Sequence, residues 1–458
     1  MLGVTLLCIA LFLFFKPKYR YLSYLLYLGF MLGTYGGFGL LTDSVLGVKN
    51  KDLAIVYTFA ISLYLVLTGQ YKLPNVGFIR WYKLFICFLI CSIFFSHFYY
   101  GFSWIQILQG GRDFILIFSL PIFMRIKPNE LNKLMPILLW ITIISSVLYI
   151  LQVVMGRALM PYSGEPKIDP STGLVRLYNS PVLLNLFLAL TFVVPNYFGR
   201  KVNLLRIIFF IALICTLGRT SIFTTLLTVI LSILFVGKAT RLLKTIIILG
   251  ILFIPFLDMV SSRFEKGGTE EDLSVLSSGA FQDYDSGDGG TMTYRIAWVY
   301  ERFDYLLDRP LGEQIFGLGL ISDSQPIVNK MYDFSIGLID EETSLPTQLG
   351  TPDIAYGNIL TKLGFVGGGI YLCLMINMLA FLYKNRRINS LTIVGTAMMI
   401  MLFIGSISGS AMSAPKNLSF YFIIMATIFY QYQSVCFKIN NCHTINQDDK
   451  DNRNHISL

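Results

Sequence analysis

The chain has 458 residues, of which 55 % are hydrophobic, 15 % aromatic and only 14 % charged. Soluble domains carry about 25 % charged residues, so this chain lacks the polar surface to cover itself in water and needs lipid around much of it. Soluble enzymes, nucleic-acid-binding proteins and secreted disulfide scaffolds are excluded, and the net charge of +9 has to be read by where it falls rather than as a polyanion signal.

Apolar runs near the roughly 17–25 residues that span a bilayer recur along the chain. They predict an all-α polytopic membrane protein with about thirteen transmembrane helices, at 2–15, 21–41, 53–69, 84–100, 108–124, 135–155, 181–198, 206–218, 220–236, 244–257, 358–383, 390–410 and 419–433. The basic cluster Lys16, Lys18 and Arg20 follows the first run. A cleaved signal peptide has its charges before the apolar core, so the first segment is expected to be a retained helix.

Every second loop then carries three basic residues: Lys16/Lys18/Arg20, Lys72/Arg80/Lys83, Arg125/Lys127/Lys133, Arg200/Lys201/Arg206, Lys238/Arg241/Lys244 and Lys384/Arg386/Arg387. Short cytoplasmic loops are enriched in Lys and Arg, which predicts these six inside, the first residue outside and the tail cytoplasmic. The expected organisation is an N-terminal transmembrane bundle of about ten helices (1–257), a large periplasmic or extracellular loop (258–357), C-terminal transmembrane helices (358–433) and a polar cytoplasmic tail (434–458).

The outward loop holds eighteen of the twenty-seven acidic residues against six basic ones. Loops this long are functional or disordered. Its first part, Gly267 to Tyr294, has no Lys or Arg and is expected to be mobile. From Tyr294 to Arg309, Ile296, Val299, Tyr300, Phe303, Leu306 and Leu307 recur at helical spacing, beside a second stripe of Arg295, Trp298, Arg302, Tyr305 and Arg309, and Pro310 stops the run. Such a helix lies along the outer interface or caps the bundle; the plainer alternative is a surface helix with snorkelling arginines.

No P-loop, HExxH or GxSxG motif is present. Cys8, Cys87, Cys91, Cys215 and Cys373 lie inside apolar runs, and His97, His443 and His455 are scattered, which gives no metal-ligand spacing. Gly29/Gly33/Gly37 and Gly364/Gly368 have the small-xxx-small spacing of close helix packing. What stands out is Arg112, Arg176 and Arg219 on the outward side. Ionisable groups near hydrocarbon are expensive and default to function, and arginines converging on one face with Arg295 suit a diphosphate. The alternatives are ion pairs, such as Arg112 with Asp113, or snorkelling to headgroups.

The order Gly218-Arg219-Thr220, a long outward loop, Arg295-Ile296-Ala297-Trp298, Pro310-Leu311-Gly312, Gly317-Leu318-Gly319 and Gly357-Asn358-Ile359-Leu360-Thr361-Lys362-Leu363-Gly364 resembles the O-antigen ligase and O-antigen polymerase superfamily of bacterial inner-membrane glycosyltransferases. The likeness covers roughly 206–384. It implies an enzyme acting on undecaprenyl-diphosphate-linked oligosaccharides at the outer face, with no metal and no sugar nucleotide. It also implies membrane lipids, a chain-length regulator and a flippase as candidate partners, and Arg219 and Arg295 as the residues that engage the diphosphate.

Ligases carry a histidine shortly before the Asn-containing helix start. Here the stretch reads Pro352-Asp353-Ile354-Ala355-Tyr356-Gly357-Asn358, which favours the polymerase branch and leaves the general base open. Asp353 is best positioned by sequence, with Asp258 and Asp113 behind it. Arg112 and Arg176 are expected at a second phosphate or in orientation, Asn358 in binding, and Trp298, Tyr294 and Tyr356 on sugar faces, with core packing the alternative. The reading is a repeat-unit polymerase; a ligase comes second and a flippase or transporter third.

Overall fold

The structure, a computed structural model, describes residues 2–33, 35, 49–71, 73–160, 167–168, 173, 175–177, 180–237, 239–254, 291–339, 345–351 and 353–431. Asp258, most of the Gly267–Tyr294 stretch and the predicted cytoplasmic tail lie outside the described residues.

Helix dominates: α1 (Leu2–Phe14), α2 (Arg20–Met31), α3 (Asn50–Leu67), α4 (Gly77–Phe98), α5 (Trp104–Ile115), α6 (Leu120–Phe123) and α7 (Pro128–Met155) come first. A short antiparallel pair, β1 (Lys167–Ile168) and β2 (Val175–Arg176), follows with Lys167 opposite Arg176. Then come α8 (Leu184–Val193), α9 (Pro195–Phe198), α10 (Val202–Cys215), α11 (Arg219–Val236) and α12 (Ala239–Phe253). The C-terminal part has α13 (Thr291–Leu307), α14 (Leu311–Phe316), α15 (Val328–Met331), α16 (Ala355–Lys384), α17 (Ser390–Gly405) and α18 (Ser419–Gln431).

α3, α4, α7, α11 and α16 are long and apolar enough to cross a membrane, and α1, α8, α17 and α18 are shorter apolar helices. Prolines break two of the predicted runs. The 108–124 run divides into α5, a 3-10 turn at Leu116–Ser119 and α6, which contains Pro121; proline cannot donate to the helical ladder. The 181–198 run divides at Pro195, where Val194 leaves the helical region (φ −128°, ψ 59°), as a residue before proline tends to do.

One continuous apolar core joins α1 to α18. α16 packs against α4, α13 and α14, while α11 packs against α8 and α17. The helix predicted at 294–309 is α13. Ala297, Trp298, Arg302 and Leu306 are fully buried, whereas Tyr300, Phe303 and Leu307 are exposed. Gly357 makes this possible: any side chain there would collide with the Trp298 ring.

Arg302 is thus the most buried charge of α13. Its guanidinium donates to the carbonyls of Thr347 and Gln348 at 3.2 Å and to Glu301. It also lies over the rings of Trp298 and Phe334, at 4.2 and 4.4 Å from their centroids. Glu301 accepts from the backbone N–H groups of Ser335 and Ile336. Together the pair ties two stretches of the long loop to α13.

Candidate functional site

The chain turns into α11 through a strained corner. Leu217 has φ +51°, a left-handed conformation that costs a non-glycine residue of order 1–3 kcal/mol and is found preferentially at functional sites. Gly218 follows as an extended N-cap that carries no capping side chain. The first-turn amides of α11 therefore depend on water or a ligand, and a helix start of this kind favours anions. Arg219 is the first helical residue. It is half-buried and has no ion-pair partner among the described residues.

The turn from Ser406 to Ser413 joins this corner to the start of α16. Thr220 Oγ1 and Ser408 Oγ are 2.9 Å apart. The Ala355 N–H donates to the Ser406 carbonyl at 3.2 Å, and Asn358 Nδ2 donates to Ser413 Oγ at 3.5 Å. Two helix starts thus share one small polar turn. On one side of it lies a cavity of about 660 Å³ reaching from Thr220 to Thr228. On the other side is an apolar groove of about 350 Å³ lined by Arg295, Ile296, Val299, Phe303, Tyr356 and Ile407, among others.

Arg295 brings charge to that groove. Its Nη2 lies 3.8 Å from Asp353 Oδ1, and its buried Nε has no hydrogen-bond partner among the described residues. Tyr356 donates to the Phe403 carbonyl at 2.9 Å while its ring lines the groove. Asn358 is buried; it accepts from the Thr351 N–H at 2.8 Å and donates to the Thr351 carbonyl at 2.6 Å. It clips the end of the long loop onto α16.

The other expected residues lie elsewhere or are engaged in packing. Trp298, expected on a sugar face, is fully buried beneath Arg302 and against Gly357. Arg112 donates to the Gln109 carbonyl at 2.8 Å and pairs with Asp52 at 3.4 Å, while Asp113 pairs with Lys51 at 2.9 Å. The ion pair raised as an alternative for Arg112 thus runs to Asp52 on α3, and the two pairs cross between α3 and α5. Arg176 is half-buried on β2. Lys362, unremarked in the sequence, places its Nζ 3.5 Å from the Gly110 carbonyl. The Ser406–Ser413 turn also escapes the motif reading; its signal is composition, Gly405-Ser406-Ile407-Ser408-Gly409-Ser410-Ala411-Met412-Ser413.

Residues 204–372 match the family model Wzy_C, described as O-antigen ligase. The chain carries a Wzy_C domain of the O-antigen ligase and polymerase superfamily. No curated protein matches the chain. The domain runs from α10 into α16 and includes Arg219, Arg295, Asp353 and Asn358. The Ser406–Ser413 turn lies beyond it, so the site draws on both the Wzy_C domain and the C-terminal helices. With its apolar helices, the chain is a multi-pass membrane protein whose matched region is of the O-antigen ligase and polymerase type.

Proposed function

We propose that the protein polymerises oligosaccharide repeat units carried on undecaprenyl diphosphate at the outer face of the cytoplasmic membrane. The observation that carries this is Arg295: a guanidinium with an unused donor at the edge of an apolar groove. That pairing of charge and hydrocarbon suits a ligand with an anionic head and a long apolar tail. Arg219, at an uncapped helix start, supplies the same chemistry across the shared turn.

In the proposed reaction the acceptor sugar hydroxyl attacks the anomeric carbon of the donor glycan. A carbon–oxygen bond forms there as the bond from that carbon to the phosphate oxygen breaks. The diphosphate leaves with the electron pair and stays on its lipid, and Arg219 and Arg295 stabilise the charge that grows on it. The hydroxyl proton passes to Asp353, the carboxylate paired with Arg295 among the described residues. The six basic loops lie in the cytoplasm, by the charge rule for short loops. Arg112, near the end of α5, and Arg176, on β2, then lie on the outward side.

The polymerase reading is favoured over the ligase by the stretch before Asn358, which carries no histidine. Deleting the gene tests it. A polymerase predicts single repeat units on the final acceptor; polymer stranded on undecaprenyl diphosphate would make the protein a ligase. Accumulation of lipid-linked units on the inner face would instead make it a flippase.

A further inference from the structure

The cavity between α8, α10, α11, α17 and α18 has no assigned ligand. At about 660 Å³ it falls within the roughly 300–1,000 Å³ of small-molecule sites. Among the described residues, twenty-one line it; eleven of these carry a hydroxyl or amide and none of these is charged. A seam filled by lipid would be lined with apolar side chains, and a phosphate subsite would have a cation in its wall. A neutral, hydroxyl-rich ligand fits this lining.

Its donors and acceptors are arranged in depth. Thr220, Thr224 and Thr228 recur every four residues and so share one face of α11, extending about 12 Å from its first turn. The hydroxyls of Thr224 and Thr228 donate to carbonyls of their own helix, leaving oxygen lone pairs to accept. Asn185 accepts from Thr225 at 2.6 Å, and its amide nitrogen has no partner among the described residues. Tyr421 lines the cavity and is only 5 % exposed, and its hydroxyl also has no hydrogen-bond partner among the described residues.

We propose that this cavity binds an uncharged sugar of the lipid-linked glycan, the one adjoining the diphosphate. The proposal rests on the function proposed above. The cavity's lining includes Thr220 and Ser221 in the first turn of α11, next to Arg219, so a sugar held against them lies beside a phosphate bound at that turn. The described lining's mix of acceptors and donors matches sugar hydroxyls, which do both.

The test uses the full-length protein in lipid nanodiscs with the lipid-linked repeat unit extracted from a strain lacking the gene. Tyr421→Phe and Thr224→Val each remove a hydroxyl while keeping the side chain's shape. Each is expected to raise the apparent KM about tenfold with kcat held within about twofold, the pattern of lost uniform binding. Unchanged KM in both variants overturns the pocket while leaving the transferase reading intact. A wild-type protein that does not extend the unit overturns the reading itself. Independently of turnover, alkylation of Ser408→Cys, mapped by mass spectrometry, is expected to slow severalfold with the lipid-linked unit but not with undecaprenyl diphosphate alone. Equal rates under all conditions contradict the pocket.

Discussion

Gly317 and Gly364 meet backbone to backbone. A methyl group on Gly317 would lie 2.6 Å from the Gly364 nitrogen, and one on Gly364 would lie 2.5 Å from the Gly317 nitrogen. Both residues have positive φ, +79° and +65°, and Gly364 is the kink of α16. The Leu318 N–H completes the contact by donating to the Thr361 carbonyl at 2.7 Å. This junction docks the long loop, through α14, onto the helix that begins beside Arg295. Gly317→Ala or Gly364→Ala combines left-handed strain with overpacking, and each is expected to destabilise by about 3 kcal/mol. Thermal unfolding of the detergent-solubilised variants checks this; a melting temperature equal to wild type contradicts it.

The arginines of α13 divide by how fully their donors are used. Arg302 is saturated by Glu301, Thr347 and Gln348, whereas Arg295 has one ion-pair contact and an unpartnered Nε. Arg302→Gln strands buried carbonyls and Glu301, and is expected to cost about 3–5 kcal/mol. It should lower membrane levels and melting temperature together. Arg295→Gln should leave both near wild type and lose activity. Equal destabilisation by the two substitutions would contradict the division.

Arg302 also has a defined pH signature. Burial pushes its guanidinium down to about 10 from 12.5, with Glu301 pulling the other way. The unfolded chain therefore binds more protons only between those two values, and only there does this group make stability rise with pH. The difference in melting temperature between wild type and Arg302→Gln is accordingly expected to stay flat from pH 6 to 9. A difference that drifts across that range contradicts a charged Arg302 in the fold.

Asp353 faces Arg295 and belongs to neither helix core, with its side chain about a third exposed. In the proposed role of general base it would contribute to kcat, and Asp353→Asn is expected to lower kcat by about 10²- to 10⁴-fold with little change in KM. A rise in KM at unchanged kcat would assign it instead to orienting Arg295.

The helical class and the position of α13 were legible in the sequence, because apolar run length and 3.6-residue spacing decide them. The face of α13 was not. Periodicity sets out two stripes without deciding which packs inward; Trp298 and Arg302 are inside because Gly357 admits the indole and loop carbonyls satisfy the guanidinium. These are contacts between residues some fifty positions apart, which local periodicity does not encode. Likewise, Arg219 and Arg295 were recognisable by motif, while the Ser406–Ser413 turn that links their surroundings lies beyond the matched region and signals only through its small residues. Lys51 and Asp52, which pair crosswise with Asp113 and Arg112, lie sixty residues earlier in the chain.

In the proposed mechanism Arg219 and Arg295 bind the diphosphate of a lipid-linked glycan. The most direct measurement compares long-chain glycan made by Arg219→Ala and Arg295→Ala in a strain lacking the native gene, with membrane levels of each variant quantified. Both are expected to reach wild-type levels in the membrane and to make no long-chain glycan. Normal amounts of long-chain glycan from both variants would contradict the mechanism.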